Sequence, residues 1–133
     1  MSNVKLVQDA YAAFGRGDIP TVLGMMDAKM EWREAEGNPY QPSGEPWHGP
    51  DAILQNLFMK LGADWDGFTV RPREFYDAGA TVVVEGRYSG THKKTGKALD
   101  AQMCHVFKFR DGKVTSFQQF TNTAHYQDVM GAR

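Results

Sequence analysis

Cysteine is nearly missing from this sequence: Cys104 stands alone among 133 residues. An internal disulfide is excluded, and the chain suits a reducing compartment, so a cytoplasmic location is expected. Long apolar runs are also missing. None approaches the roughly 20 residues of a membrane span, so no membrane is expected as a partner. The opening stretch "MSNVKLVQDAYAAFG" is amphipathic and does not follow the pattern of a signal peptide. Charge of one sign is scarce too. The net charge is -1 and no basic stripe stands out, which argues against nucleic acid. The four histidines are His48, His92, His105 and His125. No two of them lie at metal-ligand spacing, and neither HExxH nor a Cys-His cluster occurs. "GRGD" follows a helix pattern and not a strand, so it does not read as a phosphate loop. Neither a metal nor any other cofactor is expected. Repeats, low-complexity tracts and linkers are lacking, which leaves one domain over residues 1–133.

What is present is apolar patterning. Hydrophobic residues make up 41% of the chain, enough to build a substantial core. Val4, Val7, Tyr11 and Phe14 have helical spacing, and Gly15 and Gly17 supply a stop. Asp18 is placed to cap a second helix, "IPTVLGMM", with Pro20 in its first turn. "AKMEWREAE" alternates as a strand, and the Gly- and Pro-rich "GNPYQPSGEPWHG" reads as a loop. "PDAILQNLFMKLG" gives a third helix with Ile53, Leu54, Leu57, Phe58 and Leu61 on its apolar face. From Phe68 onward the pattern is strand only: "FTVRPREFY", "TVVVEGRYSGTH", "LDAQMCHVFKF" and "VTSFQQFTNT". Pro72 marks an edge or a bulge in the first of these. "KKTGKA" and "RDGK" are turns, the latter carrying the Asp-Gly pair of a tight hairpin. The predicted architecture is α+β, with three helices from the N-terminal half packed on a curved antiparallel sheet. Such a sheet leaves a mouth of the kind that takes ligands.

Alternation also nominates a site. Met103, His105, Phe107 and Phe109 share one side of a strand, so a histidine sits in an apolar stripe. It is either a core histidine with its hydrogen bonds met or a working group on a pocket wall. Cys104 faces the other way, which makes a Cys-His nucleophile pair improbable. Glu85 and Arg87 likewise face away from Val82, Val84 and Tyr88, on an outer sheet surface. If Met30 and Trp32 point inward, Glu34 does too, and a carboxylate in an apolar mouth becomes a better base near neutral pH. If Phe120 points inward, Gln118 and Asn122 do so as well. With Tyr11, these amides are candidates to orient a carbonyl or hydroxyl. The expected catalytic set is His105, Glu34 and Tyr11. The expected substrate-binding set is Trp32, Phe58, Met103, Phe107, Gln118, Phe120 and Asn122. A base facing a hydrogen-bond donor across an apolar cavity suits proton abstraction beside a carbonyl.

"AFGRGDI", "MEWREAE", "HGPDAI" and "HVFKFRDGKV" with the later "FTNTA" resemble the SnoaL-like branch of the NTF2-like (cystatin-like) superfamily, whose sheet forms a cone-shaped barrel. The element order also resembles the ketosteroid isomerases. The resemblance spans nearly the whole chain and implies the fold more strongly than the function, since this fold hosts isomerases, cyclases, dehydratases and non-catalytic binders. It implies an oxyanion donor at the position of His105 and a helix-one tyrosine near Tyr11. The base of the isomerases aligns with Trp32, and the aspartate of the polyketide cyclases aligns with Asn122. Neither residue is a carboxylate, so a faithful copy of either activity is not expected. The function expected is therefore a cofactor-independent isomerase, cyclase or dehydratase acting on a small hydrophobic carbonyl compound. The alternatives are a non-catalytic binder of a small apolar ligand and a protein-interaction scaffold. A homodimer packed through the outer face of the sheet is expected, because Cys104 and Val106 put uncharged side chains on that face, opposite His105.

Overall fold

The structure, a computed structural model, describes residues 2–132; positions 1 and 133, the ends of the expected domain, lie outside the described residues. Helix α1 (Asn3–Gly15) starts at Ser2, whose side chain accepts from the Lys5 backbone N–H. It buries Val7 and Ala13 and lays Tyr11 and Phe14 against the core. Asp18 caps α2 (Ile19–Gly24) by accepting from Thr21, as the sequence predicts. Strand β1 (Met26–Arg33) follows, and its buried side carries Met26, Met30 and Trp32.

The Gly- and Pro-rich loop contributes a short strand the sequence does not announce, β2 (Trp47–His48), paired with β1. The third predicted helix is one rod with an irregular middle: α3 (Pro50–Ile53), a π-helical stretch over Leu54–Phe58, then α4 (Met59–Asp64). The wider π turn breaks the single apolar face expected of a regular helix. Ile53, Leu57 and Leu61 are buried, while Phe58 is only half-buried.

Four long strands complete the sheet: β3 (Trp65–Ala78), β4 (Thr81–His92), β5 (Ala98–Arg110) and β6 (Lys113–Thr121). The order across the sheet is β2-β1-β6-β5-β4-β3. It is antiparallel except that β1 runs parallel to β6, a crossover made by the helices between β1 and the later strands. β2 and β3 are its two edges, so the sheet curves without closing into a barrel. Pro72 lies on the edge strand, at a register shift between Pro72 and Glu74. Opposite it, Gly86 lets the strands close: a Cβ there would meet the Arg71 carbonyl oxygen at 2.3 Å. Asp111 and Gly112 turn β5 into β6 with φ of 52 and 75. A last helix, α5 (Thr123–Met130), packs Tyr126 and Val129 onto the sheet; the sequence reading places only strand and tail there.

Candidate active site

β5 alternates without a fault, and Leu99, Ala101, Met103, His105, Phe107 and Phe109 all lie on its buried side. β6 does not. Phe109 pairs with Val114 but Lys108 pairs with Ser116, so one extra residue, Thr115, is bulged out. Beyond that point every side chain changes face relative to a strict period of two. Phe117 and Gln119 are buried, not Gln118 and Phe120. This corrects three expected site residues. Gln118 turns its amide to the Gln119 carbonyl oxygen, Phe120 is 54% exposed on the outer surface, and Asn122 is the cap of α5, accepting from the His125 N–H. A fourth, Met103, is buried but lies outside the cavity lining.

The remaining expected residues come together. Tyr11, Trp32, Glu34, Phe58, His105 and Phe107 line one cavity between the helices and the sheet. It holds about 790 Å³ of empty space, its mouth included. Trp32 stacks on Phe117 at a ring-centroid distance of 3.8 Å and meets Phe58 edge-on. No lysine or arginine lines this space.

Its polar groups form two clusters. In one, Glu34 is held by its backbone: its N–H donates to Gln41 Oε1, and Gln41 Nε2 donates to the Trp32 carbonyl. The loop amide thus acts as a strand partner for the end of β1 and turns the carboxyl inward. Burial raises Glu34 to about 8, and the nearby Trp32 indole offsets only part of that rise. Glu34 Oε2 and Trp32 Nε1 are both buried and make no well-aligned hydrogen bond, the indole lying near enough to the carboxyl only to temper its rise. In the other cluster, the His105 ring lies between two tyrosines, with Nδ1 at 2.6 Å from the Tyr11 hydroxyl and Nε2 at 2.5 Å from the Tyr88 hydroxyl. Burial pushes the imidazole down to about 3, so it is neutral at physiological pH. Burial likewise pushes Tyr11 and Tyr88 upward, so both keep their protons. Behind Tyr88, Gln119 donates to its hydroxyl at 2.8 Å, and Gln119 Oε1 accepts from the Ala35 N–H and from Asn38. The cavity thus holds an acid-base group and a hydroxyl-imidazole-hydroxyl array, joined through the Ala35–Gln119–Tyr88 hydrogen bonds.

Tyr88, Gln119, Asn38 and Gln41 are absent from the expected set. Tyr88 shares a face with Val82 and Val84, a signal the sequence does carry. Asn38 and Gln41 lie in the aperiodic loop, and Gln119 is hidden by the bulge. Among the described residues no group of three or more His, Cys, Asp and Glu is placed to hold a metal ion. No helix among them is long and apolar enough to cross a membrane.

Residues 7–117 match the SnoaL-like domain family. The chain belongs to that family. Its fold is NTF2-like: an NTF2-like protein from Burkholderia thailandensis is 35% identical, with 98% of each chain covered and a TM-score of 0.91. TerC, co-crystallised with polyporic acid, is 26% identical over 97% of this chain and 98% of its own, with a TM-score of 0.85. A protein with a ketosteroid isomerase-like fold from Catenulispora acidiphila, in complex with trimethylamine, is 17% identical over 100% and 96%, with a TM-score of 0.80. No curated protein matches by sequence.

Proposed function

We propose that this SnoaL-like chain is a cofactor-independent proton-transfer enzyme for a small hydrophobic carbonyl compound, of isomerase, cyclase or dehydratase type. The observation that carries the reading is the buried Glu34 oxygen with no well-aligned hydrogen bond in the protein, set in the same cavity wall as the Tyr11–His105 pair. A structural carboxylate would be paired, because a lone buried one is expensive. Here it is free to take a proton from a ligand. In the proposed step the ionised Glu34 removes a hydrogen from the carbon beside the carbonyl. The C–H electron pair moves into the new C=C bond, and the carbonyl π pair moves onto oxygen. The resulting enolate oxygen accepts a hydrogen bond at the tyrosine-histidine cluster. Protonated Glu34 then returns the proton to carbon. The aromatic walls exclude water and cover the ligand's apolar body. The TerC and Catenulispora complexes support a small-molecule occupant for this fold.

The second reading, a binder that performs no chemistry, is favoured by the predominantly protonated state of Glu34 near pH 7. One experiment separates the two. A molecule that co-purifies with the chain is identified by native mass spectrometry and returned to the protein in D₂O. The enzyme reading expects deuterium at the carbon beside its carbonyl, with exchange at least 100-fold slower in Glu34→Gln, about 2.7 kcal/mol. Tight binding with no exchange in the wild type means a binder. We further propose a homodimer through the outer sheet face, supported by exposed Phe120 and Tyr76 there.

A further inference from the structure

Each hydrogen bond in the array behind His105 has a direction, and two backbone N–H groups decide all of them. Tyr40 N–H can only donate, and it donates to Asn38 Oδ1 at 2.9 Å. The Asn38 atom facing Gln119 is therefore its NH₂ group. Ala35 N–H can also only donate, and it reaches the same Gln119 oxygen at 3.1 Å. Gln119 must present Oε1 to both, so its NH₂ group points at the Tyr88 oxygen. The amide is thus fixed by two independent donors.

Tyr88 now receives a hydrogen bond from Gln119, and its own proton needs an acceptor. The acceptor at hydrogen-bond distance among the described residues is His105 Nε2. A neutral imidazole that accepts at Nε2 carries its hydrogen on Nδ1 and donates it to the Tyr11 oxygen. The opposite order would have Nε2–H donate to Tyr88. The Tyr88 oxygen would then receive two donors, and its proton would be stranded in a fully buried place, since Tyr88 is 4% exposed. In the first order the proton left over is that of Tyr11; both tyrosines border the cavity, but Tyr11 is only half-buried where Tyr88 is fully buried. The better satisfied order is the one that leaves over the proton of the less buried hydroxyl.

We propose that Gln119 is a positioning residue that fixes the histidine tautomer, so that the proton order Gln119 to Tyr88 to His105 to Tyr11 ends with the Tyr11 O–H offered to the ligand. The inference deepens the proton-transfer reading and rests on it for the ligand's part. It names the ligand atom that Tyr11 meets: an acceptor oxygen of a carbonyl, enolate or phenolate.

The test needs no ligand. Long-range ¹H–¹⁵N correlation spectra of the uniformly ¹⁵N-labelled chain report which ring nitrogen of each histidine carries hydrogen, and His105 is assigned through its contact with the Phe117 ring. The expected result is a neutral His105 ring with hydrogen on Nδ1. Gln119→Met removes the amide donor but supplies no acceptor for the Tyr88 proton, so hydrogen is expected to stay on Nδ1. Gln119→Glu, which keeps the size, is the second variant. Once ionised, its carboxylate only accepts, so Tyr88 must turn its proton toward it and receive Nε2–H instead. Hydrogen on Nε2 in the wild type overturns the proposed order, and hydrogen on Nε2 in Gln119→Met or retained on Nδ1 in Gln119→Glu overturns the role of Gln119. Both outcomes leave the Glu34 exchange experiment untouched, so the two readings fail separately.

Discussion

Glu34 and His105 are shifted in opposite directions by one cause, removal from water, and each shift favours the uncharged form. The consequences for stability follow from which state holds more protons. Glu34 rises from 4.5 to about 8 on folding. Across that window the unfolded chain has released a proton the folded chain keeps, so stability falls as pH rises. His105 drops from 6.5 to about 3. Across that window the unfolded chain holds the extra proton, so stability is lost as pH falls. The two effects cancel between pH 4.5 and 6.5 and leave a plateau. Beyond each end the slope approaches about 1.4 kcal/mol per pH unit. Urea melts of wild type and Glu34→Gln should therefore diverge from pH 5 to pH 8, with the variant gaining; a difference that does not change with pH would refute the buried-acid assignment. The proton-transfer rate, in turn, should climb with pH through about 8 as Glu34 ionises. His105→Phe removes both ring nitrogens and leaves the Tyr11 and Tyr88 hydroxyls without their partner. An unpaired buried hydroxyl costs about 1–3 kcal/mol. The variant should fold, melt lower, and lose at least tenfold in turnover, about 1.4 kcal/mol. Thermal melts beside exchange rates check this, and a variant equal to wild type in both would make the ring a bystander. His105 was legible because it sits in a strand whose alternation holds, and Glu34 because the Met30–Trp32 alternation carries one step past the end of β1. Both descriptions offered for His105 meet in it: its hydrogen bonds are met, and it stands on the cavity wall.

At the scale of elements, local chemistry was readable and register was not. Asp111-Gly112 specifies its turn from two adjacent residues, Asp18 specifies its cap from three, and Pro72 announced an irregular edge strand. The β6 bulge has no such marker. "FQQF" offers one phenylalanine to each face, so both registers bury a ring, and pairing with β5 decides between them. That single choice moved Gln118, Phe120 and Asn122 out of the site and brought Gln119 in. Helix α5 was lost for a different reason: at eight residues it draws its stability from packing Tyr126 and Val129, not from a pattern of its own. The Pro72 bulge gives a test at this scale. Its carbonyl neighbour stands where a Gly86 side chain would go. Gly86→Ala should force β3 and β4 apart and destabilise by about 1–3 kcal/mol. Differential scanning calorimetry showing an unchanged melting temperature would mean the edge strand yields freely.

The whole molecule puts its two sheet faces to different uses. The inner face is filled by helices and the cavity. The outer face carries Val83, Cys104 and Val106, only half-buried, with Phe120 at 54% and Tyr76 at 47% exposure beside them. Arg87 pairs with Asp100 at its margin. A face of this composition gains by meeting another apolar surface, and a second copy supplies one by symmetry. Sedimentation at micromolar concentration should therefore give a species of twice 14.9 kDa. Phe120→Asp puts a carboxylate into that contact and should release monomers. Because Phe120 does not line the cavity, the same substitution should leave the His105 tautomer and the Glu34-dependent exchange as they are. That separates assembly from chemistry. A wild-type chain that sediments only at 14.9 kDa would show that the outer face is simply tolerated by water.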